Sequence, residues 1–371
     1  SNDDEIPDNG IDDDGNGYID DTYGWDFTGE YDNIPQDEHG HGTHVAGTIA
    51  AVRNNNEGIA GVADNVKIMA LRFLDKNGSG NTSWALSALE YAVSNGAQIS
   101  NNSWGGGGYE SALYNAIASA GNSGHLFVAA AGNDGLNADT NPMYPAAYDL
   151  PNILSIAAIN SSGSLAGFSN YGPTRVDIGA PGVDILSTMS ADSSACSSAP
   201  PCYTSWDGTS MAAPHAAGVA ALMLGVNATL TPEEIIQIMI DTVRPTAALN
   251  GKVSSNGELD GGAAVSEAAS SGGIEFVSYT PGETILEGST VSLTAIATAS
   301  DESDLSSQII WKDSEGTVIG NGSSVSFTAT VIGVLTIKAE VQDVSGTTLQ
   351  KTAWFNVVAP TLNFLTPKGF I

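Results

Sequence analysis

Two stretches, HGTHVAGTIAA from His41 and GTSMAAPHAAGVAALM from Gly208, hold residue types that can break a bond by nucleophilic attack. A serine hydroxyl is a weak nucleophile at neutral pH, so it needs a neighbouring base and donors for the oxyanion that develops. Ser210 follows a Gly-Thr turn and opens a helix-like run rich in Ala and Gly. That position sets backbone N–H groups and the positive end of a helix dipole beside the hydroxyl. A second chemistry is written in IDDDGNGYID, residues 11–20. Asp12, Asp14, Asn16 and Asp20 fall at positions 1, 3, 5 and 9 of a calcium-loop pattern, with Gly17 at the sharp turn and the Tyr18 carbonyl at position 7. Tyr23 stands where an EF-hand has its bidentate Glu, so Asp21 is expected to close the shell instead. Carboxylates this crowded repel one another unless a cation neutralises them; the plain alternative is a solvated acidic turn.

The elements that must position these residues are legible as a change of grammar along the chain. VKIMALRFL, TSWALSALEYAVSNG, AQISNNSW, ESALYNAIASAGNSG and HLFVAAAG alternate strand-like and helical runs, which predicts a parallel sheet with helices on both faces. Asn81 or Thr82 caps one of these helices and Gly96 follows it. NNSWGGGG and AAAGNDG then fall in loops beyond strand carboxyl ends, where such sheets place their sites. The alternation stops near residue 267, and 268–273 reads as a small-residue linker. From 274 to 359 the period is two. Val291, Leu293 and Ala295, Val325, Phe327 and Ala329, and Leu335, Ile337 and Ala339 are expected to face inward with Trp311, as in an Ig-like β-sandwich. Residues 360–371 read as the first strand of a further module or a tail.

Taken in this order, the motifs resemble the subtilase family of serine endopeptidases over residues 18 to 267, and the first domain is taken as residues 1–267. The resemblance implies a subtilisin-like α/β fold with His41 as general base, Ser210 as nucleophile and the Asn133 side-chain amide in the oxyanion hole. It also implies that Ser103, Trp104 and Gly105, with Ala130, Ala131 and Gly132, wall an extended substrate strand and its specificity pocket. His39, His44, His125 and His215 are read as structural. Thermitase-like members suggest two further calcium sites: one from the Val52 carbonyl, Asn55, Glu57 and the Ile59 carbonyl, another from Asp26, Asp32 and Gln36 with Glu30, where an extra residue shifts the spacing.

One member of the family pattern is missing. The aspartate that orients the histidine stands in a DTG or DSG motif after an apolar strand, and no such motif precedes His41. Asp21-Thr22-Tyr23-Gly24 lacks both the third-place glycine and the strand. The expectation is a chain that starts downstream of that strand, unstable and of low activity by itself. In subtilisin, loss of this aspartate alone lowers kcat by about 3 × 10⁴.

Composition narrows the remaining classes. With 371 residues, two cores are expected, and a formal charge of −31 (11 Lys and Arg against 42 Asp and Glu) repels nucleic acid and anionic membranes. No apolar run approaches a membrane span, the longest being Ala216 to Val226. Cys196 and Cys202, in CSSAPPC, are expected to form a disulfide, with two free thiols as the alternative; a bridge favours an extracellular setting. SNDDEIPDNG carries neither an initiator Met nor a signal-like segment, so any secretory signal is expected outside it. The reading is a secreted, monomeric, calcium-stabilised endopeptidase acting on proteins or peptides. The competing class is a catalytically dead subtilase-like module used for binding or adhesion.

Overall fold

The computed structural model describes all residues except 1, 3, 29–31, 197–200, 278, 280–282, 302, 345, 347 and 360–371. Glu30 and the tail from 360 therefore lie outside the described residues. Two compact units divide the chain, Ser1–Ala269 and Ser270–Ile371.

In the first unit, β3 (Ile99–Asn102), β4 (Leu126–Ala130), β5 (Ile153–Ile159) and β6 (Ile178–Pro181) run parallel in that order, and the short β10 (Gly257–Glu258) and β9 (Arg244–Pro245) extend the sheet beyond β6. Alternation along β4 distributes the helices. Leu126, Val128 and Ala130 pack with α4 (Thr209–Val226) and α5 (Pro232–Asp241), whereas Phe127 and Ala129 pack with α2 (Thr82–Ser94) and α3 (Ser111–Asn122). Both faces are thereby covered, which is why β4 and β5 are buried at every position. Asn81 caps α2 by accepting the Trp84 N–H at 3.0 Å. The helix α4 is 18 residues long and apolar enough by composition to span a membrane, but it crosses the core against β3 to β6. Its apolarity on all sides reflects burial.

The sheet is interrupted on one side. β1 (Gly24–Asp26) and β2 (Ala70–Arg72) form a separate parallel pair, and β2 and β3 share no ladder. Phe73, just after β2, meets Trp104, just after β3, with ring centroids 5.2 Å apart, so both edges end at one place. Each edge keeps one unpaired row of backbone donors and acceptors among the described residues.

The second unit holds two sheets, β11 (Gly273–Phe276), β13 (Thr290–Thr298) and β16 (Ser324–Thr328) in one, β12 (Thr284–Leu286), β18 (Thr348–Val358), β17 (Gly333–Gln342), β14 (Ile310–Asp313) and β15 (Val318–Asn321) in the other. Leu293, Ala295 and Val325 from the first sheet and Ile337, Ala339 and Phe355 from the second share a core with Trp311. Val291 and Phe327 are only partly buried at its margin, and Leu335 is half-buried. Residues 268–270 of the expected linker continue α6 (Gly261–Ser270), and Gly273 already opens β11. An α/β unit followed by largely antiparallel sheets is the order that the sequence predicts, with β12 running parallel to β18 as the exception.

Candidate active site

Ser210 is the second residue of α4, directly after the Gly208 cap and Thr209. Its first-turn N–H groups have no partner within the helix. Pro214 lies inside α4 and has no N–H, so the Ser210 carbonyl lacks its usual donor from residue i+4. Ser103 supplies the missing donor: its hydroxyl reaches the Ser210 carbonyl at 2.8 Å, and the Ser210 hydroxyl donates back to the Ser103 carbonyl at 3.3 Å.

Asn133 lies near the start of the loop that joins β4 to β5. Its Oδ1 accepts both the Thr209 N–H, at 2.9 Å, and the Thr209 hydroxyl, at 3.0 Å. A backbone N–H can only donate, so the oxygen of the amide must face Thr209 and the NH₂ must face away. The result is an exposed amide donor aimed outward beside the start of α4. The loop is fixed from below by Asn170, 1% exposed, which donates to the Ala131 carbonyl at 3.0 Å and accepts the N–H groups of Asp134 and Leu136 at 3.1 and 3.0 Å. A Cβ on Gly132 would lie 2.3 Å from that Asn170 amide, at a φ of +107°, so only glycine fits. Ala130 and Ala131 are buried beneath this turn. Across from it, Trp104 donates to Asn102 Oδ1 at 3.1 Å, and a Cβ on Gly105 would crowd Met143 at 2.9 Å.

His41 is the first residue of α1 (His41–Ala50), entered through Gly40, whose φ is +95° and whose Cβ would lie 2.1 Å from Met189 Sδ. Asp37 ties this turn: its carboxylate accepts the Gly40 N–H at 2.6 Å, and the Thr43 N–H and hydroxyl at 2.8 and 2.7 Å. Burial opposes ionisation of Asp37, but these hydrogen bonds prevail and hold its carboxyl below the usual range. His41 lies over Trp206, at the end of β8 (Cys202–Trp206), with centroids 6.1 Å apart, and α1 packs on α4. Among the described residues no carboxylate hydrogen-bonds its ring, and the Ser210 hydroxyl is turned to Ser103. Burial, then the neighbouring His39 charge, push His41 down to about 4, with Asp37 pulling the other way. His41 is therefore a neutral imidazole at pH 7.

The other histidines are structural, apart from the exposed His39. His44 Nε2 donates to the Ile185 and Thr204 carbonyls at 3.0 and 3.2 Å, joining α1 to the hairpin of β7 (Ile185–Met189) and β8. His125 bonds the Ala97 carbonyl and the Ser100 hydroxyl, and His215 Nδ1 bonds the Met211 carbonyl. Cys196 and Cys202 form a disulfide with Cα atoms 5.6 Å apart, ahead of Trp206.

The candidate metal ligands divide sharply. Glu5, Asp12 and Asp14 bring carboxylate oxygens within 4.8 Å of one another. Asp20 instead accepts the N–H groups of Asn9 and Gly10, both at 2.9 Å. Asp21 is buried and accepts from Asn2 and Asn16 at 3.0 and 2.9 Å and from the Tyr91 hydroxyl, whose own ionisation burial and Asp21 suppress. The Tyr18 ring packs between Trp25 and Tyr91. In the second proposed set, Asp26 is buried in an ion pair with Arg72 at 2.9 Å, Asp32 accepts the Ile34 N–H, and Gln36 bonds Asp192. The structure thus gives Asp26, Asp32 and Gln36 separate partners. Val52, Asn55 and Glu57 are exposed on the turn after α1 and Ile59 is half-buried there, with the Glu57 N–H on Asn55 Oδ1 at 3.0 Å.

Glu5, Asp37, Asn170 and Thr209 escaped the sequence reading. Only Asp37 carried a signal, an acidic residue shortly before a predicted helix start; the others are set by contacts across turns and strands.

A serine at a glycine-capped helix start, an outward amide donor and an imidazole-bearing helix are held together by the doubly covered parallel sheet of an α/β unit. The chain belongs to the subtilase family, whose profile matches residues 3–258. A thermophilic serine proteinase of Bacillus sp. (strain AK1) is 45% identical over 200 residues, 54% of this chain and 46% of that protein. Subtilisin E of Bacillus subtilis (strain 168) is 41% identical over 213 residues, 57% of this chain and 52% of that protein. The chain spans about half the length of these curated relatives. A solved protease structure from Pseudoalteromonas arctica PAMC 21717 is similar at a TM-score of 0.59 and 35% identity, covering 66% of this chain and 83% of that one.

Proposed function

We propose that residues 1–267 form a serine endopeptidase domain that hydrolyses peptide bonds of proteins through an acyl-enzyme. The Ser210 hydroxyl attacks the carbonyl carbon while its proton passes to the His41 ring; the C–N bond then breaks as that proton goes to the leaving amine, and water releases the acyl group. The Asn133 amide and the Ser210 N–H hold the oxyanion. Ser103 to Gly105 and Ala130 to Gly132 flank the substrate strand. The observation that carries this reading is the Asn133 amide, turned outward by Thr209 beside a helix-start serine, since a purely structural asparagine would have no cause to offer an unmet donor there.

In this chain the activity is low. Among the described residues no carboxylate hydrogen-bonds the His41 ring, Asp37 acting on it only through its charge, and the acid partner implied by the family belongs on a strand that pairs with β2 and β3. The disulfide supports a secreted setting, calcium supports stability, and 274–359 is an appended Ig-like module on a monomeric chain. The test is fluorophosphonate labelling followed by mass spectrometry: a single adduct on Ser210, abolished by Ser210→Ala, with slow peptide hydrolysis. No adduct would instead favour the dead binding module, the reading that the lack of a DTG or DSG motif before His41 supports. Chelation is expected to lower the thermal midpoint; indifference to chelator defeats the calcium component.

A further inference from the structure

Glu5 lies ahead of the acidic loop and outside its spacing pattern, yet it is 5% exposed. Its Oε1 accepts the N–H groups of Asp13 and Asp14 at 2.8 and 3.2 Å, which pins the carboxylate against the loop. Its Oε2 is buried and has no hydrogen-bond partner among the described residues. An unmet buried carboxylate oxygen is costly, because the lost hydration is not replaced. Asp12 and Asp14 direct carboxylate oxygens to the same place. Their oxygens accept N–H groups of Gly15, Asn16 and Gly17 and side-chain amides of Asn2 and Asn16, which orient them but carry no positive charge. No Lys or Arg occurs before Arg53 to supply that charge.

We propose that Glu5 is the buried ligand that closes a Ca²⁺ site with Asp12 and Asp14, the role that Tyr23 cannot fill at the loop's twelfth position. The proposal deepens the calcium component of the proposed function and is independent of the catalytic one. Residues 1–21 contain no His or Cys, so the donor set is oxygen alone, which selects a hard cation. Mg²⁺ demands near-ideal octahedral geometry and sheds water reluctantly, whereas an irregular carboxylate loop suits Ca²⁺. Asn2 links the site to its surroundings, with its amide on Asp14 and Asp21 at 3.0 Å and its N–H on the Thr22 carbonyl at 2.6 Å. Cation binding thereby fastens the segment before β1.

The experiment uses the full chain carrying Ser210→Ala, so that autolysis is removed and the outcome does not depend on activity. Tb³⁺ emission sensitised by Tyr18 and Trp25, displaced by Ca²⁺, reports the site; thermal midpoints with Ca²⁺ and with Mg²⁺ accompany it. The parent should show Ca²⁺-displaced emission and a midpoint raised by Ca²⁺ more than by Mg²⁺. Glu5→Gln should raise the Ca²⁺ concentration required by about tenfold or more, as should Asp14→Asn at an exposed position that spares the fold. An unchanged Ca²⁺ response in Glu5→Gln overturns the Glu5 assignment while leaving calcium binding intact. Absence of any Ca²⁺ response in the parent overturns both.

Discussion

Ser103 and Ser210 hold each other reciprocally, the hydroxyl of each donating to the carbonyl of the other at 2.8 and 3.3 Å. The first bond exists because Pro214 cannot satisfy the Ser210 carbonyl. Ser103→Ala should strand that carbonyl, costing about 1–3 kcal/mol of stability in urea unfolding. A loss well below that range would show that water replaces the hydroxyl.

Asn133→Ala removes the outward amide while leaving the helix start intact. In subtilisin, removal of one oxyanion donor costs about 10²–10³ in kcat, and a comparable fall in the Ser210 labelling rate is expected here, without loss of fold. Labelling at the parent rate would remove Asn133 from the oxyanion role.

Because burial and the His39 charge hold His41 down at about 4, its base form persists far into acid. The labelling rate should stay level from neutral pH and fall only as pH approaches that value. His39→Ala relieves the repulsion, so its falling limb should move to higher pH. A parent midpoint near the ordinary histidine value of about 6.5 would contradict the buried, unpaired environment.

Acid should also destabilise the fold. His41, His44, His125 and His215 all have folded pKa values below their unfolded value, so the unfolded chain binds protons first as pH falls below 6.5, and stability falls with it. Asp177 opposes this: burial raises it to about 6, so its contribution is present at low pH and lost as pH rises through that value. Four histidines against one aspartate predict a urea midpoint that drops between pH 7 and 5, more steeply in Asp177→Asn. A rising midpoint would reverse the assignment.

Much of the site was legible because its signals are local. HGTH, GTSMAAP and AAAGN keep their chemistry within a few residues of a helix start or a strand end, where backbone geometry alone fixes direction. The alternation of strand-like and helical runs likewise announced a parallel sheet covered on both faces, and the structure then assigned α4 and α5 to one face of β4 and α2 and α3 to the other. The crowding of the acidic loop was legible but not how its carboxylates group: Asp20 and Asp21 found donors of their own, and Glu5 joined Asp12 and Asp14 from outside the pattern.

What the sequence by itself determined was the order of elements, the placement of Ser210, His41 and Asn133 at helix starts or just after a strand, and the absence of a DTG or DSG motif before His41, since each is a matter of residue type at short spacing. Only the tertiary structure decided which groups are satisfied. The Asp26–Arg72 ion pair, the Asn170 brace, the outward turn of the Asn133 amide and, among the described residues, the orphaned Glu5 oxygen and the unpaired edges of β2 and β3 depend on contacts between distant segments or on the burial of single atoms. Periodicity carries no record of either.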